Sequence, residues 1–424
     1  MNLTEQMSEG IVTNMKIRDV RAIITQPPGA RTLVVVKVET DEPELYGLGC
    51  ASFFSRPTAV AIAVNDYLKP FLIGKDPADI EDLWQSCNTE AVWRNGPVLN
   101  NALSGVDQAL WDIKGKVAGM PVYELFGGKS REAAAVYVIP SGGDLAEYEE
   151  HIRQLLEQGF HHLKLGSVHP SKSAGEPTHE PVVITSKAAN PGVTIFEPKP
   201  HARHIVDAFE HFRTTFGPAP EILYDAHERL PPIQGLALAK DVEPYKPYFL
   251  EDLFSPEDND YFRLVREQTS TPIAMGELYS NPQEVVPMIR DRLLDFLRLH
   301  ISAIGGLTPA RKLAALCEAF NVRTAWHGSA DISPVGHAAN LMLDMNVWNF
   351  GVQEASVYLK THETLKEVFP GTPELRGGYM WPNGKPGLGV DLDEKLAARF
   401  PATGLGGPKL WGDARRADGT VIRP

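Results

Sequence analysis

The chain has 424 residues and a mass of 46.6 kDa, more than one hydrophobic core usually spans, so two domains are expected. Hydrophobic residues make up 43% and charged residues 22%, the balance of an ordinary globular protein. A net charge of −13 excludes the basic face that a nucleic acid needs. An anionic small substrate stays open, since one bound cation reverses the local field of an acidic pocket.

Met1 to Lys16 is polar and carries no apolar signal-peptide core. The first third then reads as α+β. Lys16 to Thr25, Leu33 to Glu39 and Tyr46 to Ser52 predict a small antiparallel sheet. Helical spacing follows over Thr58–Leu72, Ile80–Trp93 and Leu99–Ala118, the last closed by Gly119 and Pro121.

From about residue 131 short apolar runs alternate with amphipathic stretches. The run Ala134–Ile139 precedes a helix near Leu145–Gln158, and His161–Leu165 forms the second strand. Ile222–Tyr224, Tyr248–Leu250, Ile273–Met275, Phe296–Leu297 and Arg323–Ala325 continue the series, each with a helix behind it, and a last piece lies at Trp348–Phe350. About eight β-α steps in this span predict an α/β fold with a (β/α)8 TIM barrel. An open doubly wound sheet fits less well, because no Gly-rich phosphate turn follows the first strand. Gly166 to Pro200 breaks the rhythm with six prolines; it reads as either a surface insertion or a lid over the strand ends. No run of about 18 apolar residues occurs, so no membrane span is expected. Three scattered cysteines, Cys50, Cys87 and Cys317, suit a reducing, cytoplasmic setting.

Three acids end three consecutive predicted strands at equal 26-residue intervals: Leu-Tyr-Asp225, Phe-Leu-Glu251 and Met-Gly-Glu277. At the open end of a barrel such side chains converge, and three carboxylates share one place only around a cation. Oxygen ligands with open positions suit Mg²⁺. His227 follows Asp225 by two residues, on the same side if the strand persists, and would serve as a general acid. His327 stands at the mouth of a later strand with Asp331 four residues on. Lys164 ends the second strand, either as a base or as a charged partner of the acids. Arg298 ends the sixth strand, placed to clamp a substrate carboxylate or hydroxyl, and Glu354 ends the eighth as a polar contact. His300, His337, His161 and His162 carry no such support and read as structural.

Leu-Tyr-Asp225-Ala-His227, Leu-Glu251-Asp, Gly-Glu277-Leu-Tyr, Ile-Gly-Gly-Leu-Thr-Pro-Ala-Arg311, Trp-His327-Gly-Ser-Ala-Asp331 and Phe-Gly-Val-Gln-Glu354 resemble the mannonate dehydratase subgroup of the enolase superfamily. The likeness runs over nearly the whole chain. It implies an α+β capping domain over residues 1–130, a catalytic barrel over 131–375, and a segment 376–424 that returns to the capping domain. It further implies Mg²⁺ on Asp225, Glu251 and Glu277, His227 as acid, and substrate contacts from Arg298, His327, Asp331 and Glu354. A sugar-acid substrate and a homo-oligomer of even order belong to the same expectation, with no nucleic-acid or membrane partner. The chain departs from the subgroup at Lys164, where an arginine is usual, and in lacking any tyrosine from Gly166 to Pro200. Ile139, Phe54 and Ser329 also stand where the subgroup carries other residues.

The implied reaction removes the proton α to a carboxylate, with Lys164 or His327 as base, and expels the β-hydroxyl with help from His227. The product is a 2-keto-3-deoxy sugar acid. The alternatives are an acid-sugar epimerase or racemase, and a non-catalytic metal-binding regulator of the same fold.

Overall fold

A computed structural model of the chain describes residues 15–90, 92–165, 194–356, 363–402 and 414–422. Three antiparallel strands, β1 (Ile17–Thr25), β2 (Leu33–Thr40) and β3 (Tyr46–Cys50), form the first sheet. The unbroken Val-Val-Val run of β2 has a direct cause: both faces of this strand are covered. Leu33 and Val35 join the large core shared with the barrel, while Val34, Val36 and Val38 point into a second core under the capping helices.

Helices α1 (Ile80–Glu90) and α2 (Pro97–Ala118) cover that second core. Helix α2 lies so close on β3 that a Cβ at Gly47 would sit 1.9 Å from the Ala109 carbonyl oxygen, and one at Gly49 2.0 Å from that of Gly105. The helix ends on Gly119 in the left-handed conformation, as its sequence predicts. The helix expected over Thr58–Leu72 is instead broken into Pro57–Ile62, a wide π turn over Ala63–Leu68, and Lys69–Leu72. Pro70 explains the break, because its ring lacks an N–H and collides with the carbonyl one α-turn back.

The barrel comprises β4 (Ala134–Val138), β5 (His162–Lys164), β6 (Glu221–Asp225), β7 (Phe249–Glu251), β8 (Ile273–Met275), β9 (Phe296–Leu299), β10 (Arg323–Trp326) and β11 (Phe350–Glu354). All pair in parallel, and β11 closes the circle on β4 through Gln353 with Val136 and Glu354 with Tyr137. Strands and helices alternate as expected, with two corrections. The eighth strand starts at Phe350 and runs on to Glu354 rather than spanning Trp348–Phe350. Helix α3 (Pro198–Phe216), 19 residues long, has no counterpart in the sequence reading. Its two prolines occupy the first turn, where a missing N–H costs nothing, yet they make the segment look like the end of a proline-rich loop.

Residues 383–400 return to the capping sheet. Glu394 pairs with Arg21 at 2.8 Å and Lys37 at 2.7 Å, and Asp391 accepts from the Tyr46 hydroxyl at 2.6 Å. Buried Asp112 of α2 accepts from the amides of Leu48 and Leu388, tying helix, sheet and returning segment together. Among the described residues no helix is long and apolar enough to cross a membrane. The proposed lid, residues 166–193 of the proline-rich segment, lies outside the described residues.

Candidate active site

The barrel interior is built in two layers by the two-residue period of its strands. Tyr137, Leu223, Phe249, Ala274, Phe296, Ala325 and Val352 form an apolar plug. Two residues beyond five of these, on the same inward face, stand Asp225, Glu251, Arg298, His327 and Glu354. Each of these five strands thus carries its apolar residue into the plug and its ionisable residue to the C-terminal mouth.

On one side of the mouth the three acids meet. Asp225 and Glu251 are register partners on β6 and β7. One oxygen from each of Asp225, Glu251 and Glu277 lies within 4.8 Å of the others. Glu277 leaves β8 through Gly276, whose φ of 149° and close approach to the Arg298 backbone allow no side chain there. Lys164 reaches into the group, its Nζ 3.0 Å from Asp225 Oδ2, 3.1 Å from Glu251 Oε1 and 3.5 Å from Glu354 Oε1. Strand β6 does not persist to His227. The backbone turns with φ of 45° at His227 and 58° at Glu228, and the His227 amide donates to Asp225 Oδ1 at 2.9 Å. The imidazole still folds back, with Nε2 3.0 Å from Asp225 Oδ2 and its side chain 39% exposed.

Arg298 lies between the two sides and is wholly buried. Its guanidinium donates to Tyr137 Oη at 2.8 Å and Glu354 Oε2 at 2.6 Å, lies 2.8 Å from Glu251 Oε1, and also bonds Glu277. On the other side, His327 sits with Nδ1 2.8 Å from Glu277 Oε2 and Nε2 3.0 Å from Asp331 Oδ1. The Gly328 amide donates to Glu354 Oε2 at 3.1 Å. Ser329 donates to Asp331, and the Arg31 amide of the capping domain donates to the Ala330 carbonyl at 3.2 Å. Arg31 also lies over the Phe54 ring at 4.4 Å, a contact within the capping domain.

Burial opposes every charge in this group, and opposite charges decide which survive. Burial alone would lower Lys164, but Glu251 and Glu354 hold it protonated far above the usual lysine value. His327 is likewise held well above an ordinary imidazole, Glu277 and Asp331 outweighing its burial. Against their own burial, Asp225 is kept ionised by His227 and Lys164, and Glu277 by His327 and Arg298. Lys164 and Arg298 bring Glu354 down to about 2. Glu251 goes the other way: burial, with the Asp225 charge beside it, raises it despite Arg298.

All nine sequence-predicted residues therefore come together at the mouth. Arg298 is turned inward onto carboxylates, with no exposed side-chain surface for a substrate. The residues that the sequence reading missed are Tyr137, whose hydroxyl bridges Glu251 and Arg298, and Asp252, buried and accepting from the Gly276 amide at 3.3 Å. Alternation along Ala-Val-Tyr-Val carries a signal for Tyr137 only. Ile139 follows β4 and is half-buried.

Residues 13–127 match the family model described as the mandelate racemase / muconate lactonizing enzyme N-terminal domain, and residues 147–396 match the enolase C-terminal domain-like family. The chain is 49% identical over 427 aligned residues to the D-galactonate dehydratase family member RspA of Pantoea ananatis, covering 97% of this chain and 100% of that protein. A D-galactonate dehydratase family member of Salmonella enteritidis is 47% identical, with the same coverage. Among solved structures, an enolase from Pantoea ananatis with bound D-gluconate and Mg superposes with a TM-score of 0.87 at 47% identity, over 97% of this chain and 100% of that one. The two relatives are named as members of a D-galactonate dehydratase family and the solved structure as an enolase; none of the three is named for mannonate.

Proposed function

The chain belongs to the enolase superfamily, and from that premise we propose that it is a Mg²⁺-dependent dehydratase of a six-carbon sugar acid, with D-gluconate the first substrate to test. The observation that carries this reading is the triad of Asp225, Glu251 and Glu277, whose oxygens lie within 4.8 Å of one another at adjacent strand ends. Three hard oxygen donors, with buried Lys164 and Arg298 offsetting part of their charge, fit Mg²⁺. When bound, the ion supplies positive charge to a substrate carboxylate, so that the neighbouring carbon gives up its proton more readily.

The side chains divide the remaining work. Asp331 holds His327 Nε2, leaving Nδ1 as the nitrogen that faces the carboxylate triad. We assign the α-proton to His327 on that geometry: with a cation bound, Glu277 would be drawn away from Nδ1, and the ring, held protonated without one, would release its proton and serve as base. Lys164, with three carboxylates around its amine, balances charge. His227, the most open of the ionisable group and oriented by Asp225, delivers a proton to the departing β-hydroxyl. Arg298 keeps Glu251, Glu277 and Glu354 in place and does not touch substrate. The three cysteines are buried free thiols, which supports a reducing, cytoplasmic setting.

Incubation with D-gluconate, D-galactonate and D-mannonate in Mg²⁺, followed by a keto-acid assay, tests the reading. A 2-keto-3-deoxy acid from one of them, abolished by EDTA, is expected. An epimer without keto acid would indicate two-base proton transfer instead, and binding with neither keto acid nor exchange of the α-proton in deuterated water would indicate a non-catalytic protein.

A further inference from the structure

His300 takes no part in the chemistry assigned above, yet it is built into it. It lies one residue beyond β9, buried, at the start of the turn that leads to helix α4 (Leu307–Ala319). Two backbone amides, those of Ser302 at 3.1 Å and Ala303 at 3.3 Å, donate to its Nδ1. A ring nitrogen that accepts from N–H groups carries no proton of its own, so His300 is neutral and its single proton is on Nε2. That Nε2 faces Asp331 Oδ2 at 3.6 Å, across the carboxylate from His327, which holds Oδ1. The rings of His300 and His327 are stacked, with centroids 4.9 Å apart and planes within 17°.

The turn that fixes this tautomer is itself held by the capping domain. Asn100 of α2 donates to the Ala303 carbonyl at 2.8 Å, Trp84 of α1 to that of Gly305 at 2.8 Å, and Ser302 Oγ to the Cys50 carbonyl of β3 at 3.1 Å. Placement therefore runs from the capping helices to the turn, to the His300 tautomer, to Asp331 and to the base.

We propose that His300 is a positioning residue for His327, acting as a neutral Nε2–H imidazole that steadies Asp331 and stacks on the catalytic ring. The kinetic part of this proposal rests on the assignment of His327 as base; the tautomer and the stacking do not. The test therefore has two arms on the full-length protein.

In the first arm, ring ¹⁵N spectra of histidine-labelled protein are compared with those of His300→Phe, which identifies the His300 signals by their loss. A neutral Nε2–H ring at His300 is expected, and the His327 signals are expected to shift in the variant. A charged or Nδ1-protonated His300, or unmoved His327 signals, overturns the proposal. In the second arm, kinetics are measured with whichever sugar acid the wild type dehydrates. His300→Phe, which keeps a ring but no donor, should lower kcat roughly 10–100-fold, the range for outer partners of metal-site residues. KM should stay within about twofold, since no ground-state contact is lost. His300→Gln, whose amide reaches close to the Nε2 position, should recover at least part of that loss. Wild-type kcat in the Phe variant, or equal losses in both variants, overturns the proposal. Should the Phe variant fail to fold, His300→Asn replaces it, retaining an acceptor for the two amides but not the reach to Asp331. If the wild type dehydrates no sugar acid, the functional reading fails while the spectra still decide this one.

Discussion

The two sides of the barrel mouth are built by different means. Asp225 and Glu251 sit directly on strand ends, and with Glu277 their positions follow from the register of three adjacent strands. His327, Asp331 and His300 sit on loops, and those loops are shaped by contacts from another domain: Arg31 on Ala330, Asn100 on Ala303, Trp84 on Gly305. A rigid sheet is enough to gather three carboxylates. Orienting an imidazole needs a second layer of support, and the capping domain supplies it. The account therefore expects metal binding to be insensitive to how the capping domain docks, and turnover to be sensitive.

The largest expected effect falls on His227, which belongs to the carboxylate side but acts on the leaving group. His227→Asn should lower keto-acid formation about 10²–10⁴-fold, the usual contribution of a general acid. Exchange of the α-proton with deuterated water should continue in this variant, because the base stands on the other side. Loss of both together, followed by NMR, would remove the division of labour.

Glu354 joins the two sides, bonded to Arg298 and the Gly328 amide and 3.5 Å from Lys164. Glu354→Gln strips a charge from buried Arg298 and Lys164 and should cost about 3–5 kcal/mol in urea unfolding at neutral pH. Its carboxyl is drawn down to about 2 in the folded protein, from an ordinary 4.5. The stability it contributes is thus complete above about 4.5 and lost as pH falls through about 2. The gap between wild type and variant should accordingly narrow in acid; a gap that does not change between pH 6 and 3 would contradict the ion-pair account.

A smaller effect separates the sides most cleanly. Buried Asp107 of α2 crosses the domain boundary to cap α4, its carboxylate accepting from the Thr308 amide at 2.9 Å and hydroxyl at 2.5 Å. Asp107→Ala should cost about 1–2 kcal/mol, as cap removals do, and should lower kcat while leaving Mg²⁺ affinity unchanged. A parallel fall in Mg²⁺ affinity would show that the sides are not independently built.

A pH effect at the same residue sharpens the comparison further. Burial pushes the Asp107 carboxyl up to about 7, against the Thr308 bonds, from an ordinary 3.8. Its stabilising contribution is whole below about 3.8 and is lost as pH rises through about 7. Asp107→Asn, which does not titrate, should gain on the wild type between pH 5 and 8 in thermal melts; a constant difference would refute the assignment.

The same division explains what could be read from the sequence. Asp225, Glu251 and Glu277 were visible because strand ends recur at a fixed interval, and the barrel fixes where strand ends point. Lys164, Arg298 and Glu354 follow by the same rule, although Arg298 faces carboxylates, because no spacing tells what a buried guanidinium meets. His300 read as structural, since its role depends on two amides of a turn and on capping residues about 200 positions earlier. Helix α3 is hidden by Pro198 and Pro200, which look alike in a loop and in a first helical turn. The π turn before Lys69 was invisible because apolar periodicity continues across it.

The account stands or falls on magnesium at the carboxylate triad. Calorimetric titration of Mg²⁺ into EDTA-stripped wild type, and into Asp225→Asn, measures this directly. One site per chain in the wild type, lost in the variant, is the expected result. A wild type that takes up no Mg²⁺, or a variant that binds it equally well, would contradict the account.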